Sequence, residues 1–145
     1  MSKNPVVLEI TIPSDIKLLS MLGDLVEVFL QKCLNNGSDI SDLAFQMNLA
    51  LTEASSNAIL HGCKNNPEHY VKVKLELIDD SLTLEVSDNG SGFDLEAVST
   101  PEPYQDKGRG LFIIKQLMDS VEYKVSDEET KFVMHKKIVP QSKAS

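Results

Sequence analysis

The chain has 145 residues, of which 41% are hydrophobic and 25% charged, as in a globular protein with room for one core. Its net charge of −8 argues against the basic face that a nucleic-acid binder needs and against docking on an anionic membrane. No apolar run approaches the roughly 18 residues of a membrane span, and the first residues lack the apolar core of a signal peptide. We therefore expect a single cytoplasmic domain over residues 1–145.

Hydrophobic periodicity predicts an alternating strand over residues 6–12 at the start of the chain. Pro13-Ser14-Asp15 is a typical helix start, and the apolar stripe that follows ends before Asn35-Asn36-Gly37. A second helix is predicted from the capping residues 38–42 to about residue 60, with His61-Gly62 as its C-terminal cap. Cys33 and Cys63 form no Cys-x-x-Cys pair, so we expect reduced thiols.

The second half of the chain is predicted to be mainly β. Strands are expected at residues 70–78, 81–86, 121–125 and 131–138, and a frayed polar tail at 140–145. Residues 90–107 show no periodicity and are expected to form a functional lid, ahead of a helix over about 110–120. The order β-α-α-β-β-lid-α-β-β predicts an α/β (α+β) two-layer sandwich, with three helices on one face of a mixed, mostly antiparallel sheet.

The most informative motif is Asp88-Asn-Gly-Ser-Gly92-Phe-Asp, which directly follows an apolar strand. Its glycines, Gly90 and Gly92, let the backbone approach a ligand closely, and the Asp88 carboxylate can accept a directional hydrogen bond. On its own, Asp-x-Gly-x-Gly is equally ordinary turn chemistry. Two other motifs favour the functional interpretation, Glu53-x-x-x-Asn57 upstream and Gly108-Arg-Gly-Leu111 downstream. Together the three motifs predict a nucleotide site.

Glu53 and Asn57 are four residues apart and therefore share one face of the second helix. An amide oxygen is a hard ligand that Mg²⁺ accepts, and a carboxylate one turn away can orient a hydroxyl and take its proton. The alternative is a solvated polar ridge. Small residues around the pair, such as Ala54, favour a packed helix that turns the pair toward a cleft. His61, one turn further, fits the capping of carbonyls better than chemistry.

Gly108 and Gly110 are predicted to open the third helix, where bare N–H groups at a positive helix terminus can cradle phosphates. The alternative is a flexible hinge ahead of the helix. Arg109 or Lys107 would add positive charge there or simply be solvated. Thr130, just before the last strand, can donate to a base or a water near Asp88, or merely close the turn.

The motifs at 53–62, 88–94 and 108–119 resemble the ATP-binding fold of gyrase-type topoisomerases, heat-shock chaperones, histidine kinases and mismatch-repair ATPases. The chain most closely resembles the bacterial anti-sigma-factor serine kinases, and this resemblance covers nearly all of it. It implies ATP and Mg²⁺ as cofactors. It also implies a small antagonist protein phosphorylated on Ser or Thr, a sigma factor as the competing ligand, and a homodimer.

The resemblance also implies roles for individual residues. Asp88 would receive the adenine amino group, Asn57 would bind Mg²⁺, and Glu53 would activate the acceptor hydroxyl. Gly90 and Gly92 would pass beneath the nucleotide, and the glycines around Arg109 would hold the phosphates under the lid. The full nucleotide-binding set is then Asn57, Asp88, Gly90, Gly92, Gly108, Arg109, Gly110, Leu111 and Thr130.

Two other functions remain open. A histidine-kinase catalytic domain is disfavoured because 145 residues leave no room for a dimerisation helix with an acceptor histidine. Histidine kinases also typically have Asn where this chain has Glu53. The other function is that of a non-catalytic, ATP-gated binding protein, which only an assay distinguishes from a kinase.

Overall fold

The computed structural model describes residues 4–34, 40–64, 66–90, 106–126 and 128–138. A short 3₁₀ turn, Ile16–Leu18, precedes the first α-helix, and a π-helical turn, Ala58–Gly62, follows the second. The strands and α-helices are β1 (Val6–Pro13), α1 (Leu19–Cys33), α2 (Ser41–Asn57), β2 (Tyr70–Ile78), β3 (Ser81–Asp88), α3 (Asp106–Leu117), β4 (Ser120–Val125) and β5 (Thr130–Lys137).

The five strands form one sheet in the order β1-β2-β3-β5-β4. Every pair of neighbours is antiparallel, so the predicted α/β sandwich is confirmed, but its sheet is not mixed among the described strands. The reason lies in the connection through α3. Strands β3 and β4 run parallel to each other, as expected for two strands joined by a crossover helix. They are not neighbours in the sheet, however, because β5 lies between them and pairs antiparallel with both.

The core lies between one face of the sheet and the helices, with α2 between α1 and α3. Strand alternation buries every second residue of β2 and β3 on this face, as the sequence pattern predicts. The largest fully buried side chains are Leu22, Val26, Leu30, Met47, Leu51, Ile59, Val71, Leu75, Leu82, Leu84, Ile114 and Met134. Both cysteines are free, in agreement with the expected thiols.

The opposite face of the sheet carries charged side chains. Glu85 lies between two lysines, with Lys74 Nζ at 3.6 Å and Lys131 Nζ at 3.7 Å. Such partly exposed ion pairs contribute little to stability. This face is therefore a hydrated surface, and the buried chemistry of the protein lies on the helical side.

Two predicted helix boundaries were wrong. Helix α2 ends at Asn57 and continues as the π turn, and α3 begins at Asp106 instead of residue 110. The glycines at 108 and 110 thus lie inside the helix, although glycine costs a helix interior about 1 kcal/mol relative to alanine. The remaining predicted lid (residues 91–105, with Gly92) and the tail lie outside the described residues. In the part of the chain that the structure describes, no helix is long and apolar enough to span a membrane.

Candidate functional site

Two polar side chains meet at one end of the sheet, on its helical face. Asp88 is the last residue of β3 and Thr130 the first of β5, and they lie directly opposite each other in the antiparallel register. Asp88 is only 2% exposed and Thr130 only 4%. A carboxylate is rarely buried to this extent in a core face unless it has a defined partner or a function.

The loop after β3 holds the Asp88 carboxylate in place. The Gly90 N–H donates to Asp88 Oδ1 at 3.0 Å, and Asn89 Oδ1 accepts from the Tyr70 N–H at 2.8 Å, which ties the loop to β2. Burial raises the pKa of Asp88 above its ordinary value, and the Gly90 hydrogen bond and nearby His69 oppose this rise. The carboxylate is therefore an oriented acceptor in a poorly hydrated place.

A partly open cleft lies beside Asp88, between the helical layer and the sheet, and its empty space of about 270 Å³ includes open solvent. Ala54 of α2 and Ala58 of the π turn line one side, and the other side is apolar except at the end formed by Asp88 and Thr130. Such a slot suits a flat ring system with a hydrogen-bond donor on one edge. The lining residues are Ala54, Asn57, Ala58, Val86, Asp88, Tyr123, Thr130 and Phe132.

The aromatic wall of the cleft had not been identified from the sequence. Tyr123 and Phe132 are opposite each other on β4 and β5, with ring centroids 6.4 Å apart in an edge-to-face arrangement. The signal was present in the alternation of the last two strands, because Tyr123, Thr130 and Phe132 share one face. Only the strand register shows that this face ends beside Asp88.

Glu53 and Asn57 lie one helical turn apart on α2, both half-buried. Gly110 of α3 packs against both: a Cβ atom there would lie 2.7 Å from Glu53 Oε2 and 3.5 Å from Asn57 Nδ2. A side chain at position 110 would therefore force the end of the Glu53 side chain to move aside. Burial raises the pKa of Glu53 above its ordinary value.

The structure does not gather all the predicted site residues in one place. Asn57, Asp88 and Thr130 line the cleft together, but Leu111 is buried in the core. Gly108 and Arg109 lie in the first turn of α3, where the first four N–H groups have no acceptor within the helix. Gly110 is the fifth residue of α3, so its N–H group is not one of these four. His61 is half-buried in the π turn.

The donor set on α2 fits a magnesium ion. Asn57 offers an amide oxygen at the cleft, a hard ligand that Mg²⁺ accepts, and the Glu53 carboxylate lies one turn away on the same helix face. Mg²⁺ usually takes only one or two ligands from a protein and completes its octahedron with phosphate oxygens and water. The residues present therefore suit a metal that arrives with a nucleotide.

Replacing Asp88 with Asn is expected to stabilise the nucleotide-free protein at neutral pH, because the amide avoids the desolvation of a buried charge. The pKa of Asp88 is higher in the folded protein than in the unfolded chain. The stability that wild-type Asp88 contributes is therefore fully present below its unfolded-state pKa, and it is lost as pH rises through its folded-state pKa. The stability gap between Asp88→Asn and wild type should therefore widen from pH 4 to pH 7.5. Urea unfolding of both proteins measures it, and a gap that does not change with pH would contradict the burial argument.

Comparisons with known proteins identify the family of the chain. Residues 17–136 match the family described as the histidine kinase-like ATPase domain. Serine-protein kinase RsbW of Staphylococcus epidermidis is 30% identical over 125 residues, covering 79% of this chain and 76% of that protein. The anti-sigma F factor of Clostridium perfringens is 32% identical over 96 residues, covering 61% of this chain and 69% of that protein.

The fold is also found among solved structures. The crystal structure of the RsbU and RsbW domains of a Mycobacterium tuberculosis protein matches with a TM-score of 0.65. It covers 93% of this chain and 32% of that chain at 20% sequence identity. The family match spans most of the chain, and the RsbW match spans more than two thirds of the relative. The chain therefore belongs to the histidine kinase-like ATPase domain family, among the RsbW-type serine-protein kinases and anti-sigma factors.

Proposed function

We propose that this protein is an ATP-dependent serine/threonine protein kinase and an anti-sigma factor. It phosphorylates a small antagonist protein and sequesters a sigma factor, so that the two partners exchange. One observation carries the proposal for this chain. The buried Asp88 carboxylate closes one end of an apolar cleft, and an oxygen donor, Asn57, lines the same cleft. The names of the similar proteins, a serine-protein kinase and an anti-sigma factor, support the rest.

Asp88 is proposed to select adenine. A carboxylate only accepts hydrogen bonds, so it pairs with the 6-amino group of adenine but leaves the 6-oxo group of guanine unpaired. Each buried polar group left unpaired costs about 1–3 kcal/mol. Thr130 is proposed to donate to the base or to a bridging water from the opposite strand. The ring itself is proposed to lie between Ala58, the first residue of the π turn, and Phe132 on β5.

The triphosphate is proposed to extend from the cleft toward the start of α3. Asn57 holds Mg²⁺, which would neutralise phosphate charge during the transfer. The N–H groups of the first turn of α3, that of Gly108 included, have no acceptor within the helix and are proposed to donate to phosphate oxygens. Arg109 is proposed to add positive charge there. Gly90 and Gly92 complete the proposed nucleotide-binding set, from which the core position of Leu111 and the place of Gly110 beyond the first four N–H groups of α3 remove these two residues.

Glu53 is proposed to be the general base. The acceptor hydroxyl oxygen attacks the γ-phosphorus, the bond from that phosphorus to the β–γ bridging oxygen breaks, ADP leaves, and the hydroxyl proton passes to Glu53. The raised pKa of Glu53 makes it a better proton acceptor than an exposed glutamate. Positioning and charge stabilisation dominate phosphoryl transfer, so the base supplies only part of the rate enhancement.

The proposal is tested by measuring transfer and nucleotide preference. Small proteins encoded in neighbouring reading frames are tested as antagonist candidates. Each is incubated with the kinase, Mg²⁺ and radiolabelled ATP, and any phosphosite is mapped. Phosphate on Ser or Thr supports the proposal, and phosphate on His indicates a histidine kinase instead. No transfer, together with nucleotide-dependent affinity for a sigma factor, favours an ATP-gated binding protein. Equal calorimetric affinities for ATP and GTP would contradict the role of Asp88.

We also propose a homodimer that works in the cytoplasm. The resemblance to anti-sigma-factor kinases supports the homodimer, and the location follows from its proposed partners, because ATP and sigma factors are both cytoplasmic. Sedimentation equilibrium of the purified protein tests the dimer. A single species of 16.0 kDa at micromolar concentration would count against it.

A further inference from the structure

The turn after α2 is wider than an α-helical turn. Residues Ala58–Gly62 are π-helical, and the Cys63 N–H donates to the Ala58 carbonyl at 2.8 Å, five residues back. π-Helical turns are rare and occur frequently at functional sites. Here the turn begins directly after Asn57 and ends against Asp88.

Gly62 touches the Asp88 carboxyl group. A Cβ atom at Gly62 would lie 2.8 Å from Asp88 Oδ2, 2.9 Å from Oδ1 and 3.0 Å from Cγ, and these are its three nearest atoms. The same carboxylate accepts the Gly90 N–H through Oδ1. Gly62 on one side and the Gly90 hydrogen bond on the other therefore restrict how the carboxyl group can rotate.

Gly90 completes the contact from the other side of the turn. A Cβ atom there would lie 2.6 Å from the Gly62 carbonyl carbon and 2.8 Å from Cys63 Cα. The loop after β3 and the π turn thus meet backbone to backbone. The Asp88 side chain is fixed at this contact.

We propose that Gly62 is a positioning residue for base recognition, because its missing side chain allows the π turn to rest on the Asp88 carboxylate and direct it into the cleft. This inference rests on the proposed function and deepens it. Gly62 would link the helix that carries Asn57 to Asp88, the residue proposed to select the base, and Gly62 itself need not touch the nucleotide.

The two glycines should respond differently to alanine. At Gly62 the obstacle is the end of a short side chain, which can rotate away, so Gly62→Ala should fold but lose the orientation of Asp88. At Gly90 the obstacle is backbone, so Gly90→Ala should destabilise the protein itself. The expected result for Gly62→Ala is a loss of ATP affinity of about tenfold or more, as for the loss of one hydrogen bond to a charged group.

Gly23→Ala is the matched control. Gly23 lies on α1, and a Cβ atom there would meet the Asn48 side-chain amide, with Cγ at 2.8 Å and Nδ2 at 2.9 Å. Gly23→Ala would force the Asn48 amide to move, just as Gly62→Ala would force the Asp88 carboxylate to move. Neither Gly23 nor Asn48 lines the cleft. Calorimetric titration with MgATP and urea unfolding of both variants should show similar stability losses but reduced ATP affinity only in Gly62→Ala.

A double-mutant cycle with Asp88→Ala identifies the contact responsible. Removing the carboxylate makes room for the new methyl group, so the stability cost of Gly62→Ala should vanish in the Asp88→Ala background. The same double variant should restore folding if Gly62→Ala alone does not fold.

The outcomes separate the two proposals. Wild-type protein that does not bind ATP overturns the proposed function and this inference with it. Wild-type affinity in Gly62→Ala, or an equal affinity loss in Gly23→Ala, overturns the inference alone. A stability cost at Gly62 that persists without the Asp88 carboxylate does the same, because the methyl group would then clash elsewhere.

Discussion

Asn57→Ala is expected to lose Mg²⁺-dependent ATP binding while keeping its cooperative unfolding transition. The Asn57 side chain lines the cleft and is only half-buried, so the fold does not depend on it. Substitutions of outer-sphere partners of a metal typically cost about 10–100-fold in affinity, so the loss of a direct ligand should reach the upper end or beyond. Calorimetric titration with ATP, in excess Mg²⁺ and then in EDTA, measures the metal-dependent part.

Asn48→Ala provides the control from the same helix. The Asn48 side-chain amide donates to Glu27 Oε2 on α1, away from the cleft. This variant should lose stability and keep its Mg²⁺-dependent ATP affinity, the reverse of Asn57→Ala. If Asn57→Ala unfolds without a cooperative transition, Asn57 is a structural residue. If its binding still depends on Mg²⁺ as in wild type, the metal assignment is wrong.

Glu53→Gln is expected to slow single-turnover phosphorylation of the antagonist by about 10²–10⁴-fold, the usual contribution of a general base. The amide keeps the shape of the side chain but cannot accept the proton, so ATP affinity should change little. Because the pKa of Glu53 is raised, the wild-type rate should fall as pH drops through that pKa, and this limb should be absent in Glu53→Gln. Rapid quenching with radiolabelled ATP gives both rates.

Glu85→Gln is the corresponding control, since Glu85 lies on the hydrated face of the sheet between two lysines. It should keep both the rate and its pH dependence. A wild-type rate in Glu53→Gln would leave the kinase assignment intact and remove its base. A parallel loss in both variants would point to a general effect of charge instead of proton transfer.

Residues with a periodic environment were predicted well from the sequence. Strand β2 matches its predicted range, because strict alternation is unambiguous over nine residues. Strand β3 extends two residues beyond its predicted end, to Asp88, because Ser87 and Asp88 are polar residues that the fold buries. Helix α3 starts early because its packing on Glu53 outweighs the low helix propensity of Gly110.

The sequence predicted the three motifs of the site but not the three-dimensional arrangement of the cleft. Side-chain chemistry identifies Asp88 and Asn57 as candidate ligands wherever they lie, because an acceptor or a metal donor is a property of the residue type. The aromatic wall of Tyr123 and Phe132 depends on strand register, and the contact of Gly62 with Asp88 depends on the π turn. Neither produces a local sequence pattern, so only the structure could supply them.

The position of β5 between β3 and β4 has a consequence for how the protein assembles. Asp88 gains its neighbour Thr130 only when β5, the last strand in sequence among the described residues, has paired with β3. Contacts between segments so distant in sequence form slowly, because a long loop must close first. During synthesis, the cleft therefore cannot form until β5 has left the ribosome. Acquisition of ATP affinity would then report completion of the whole sheet, and a chain cut before β5 would have none.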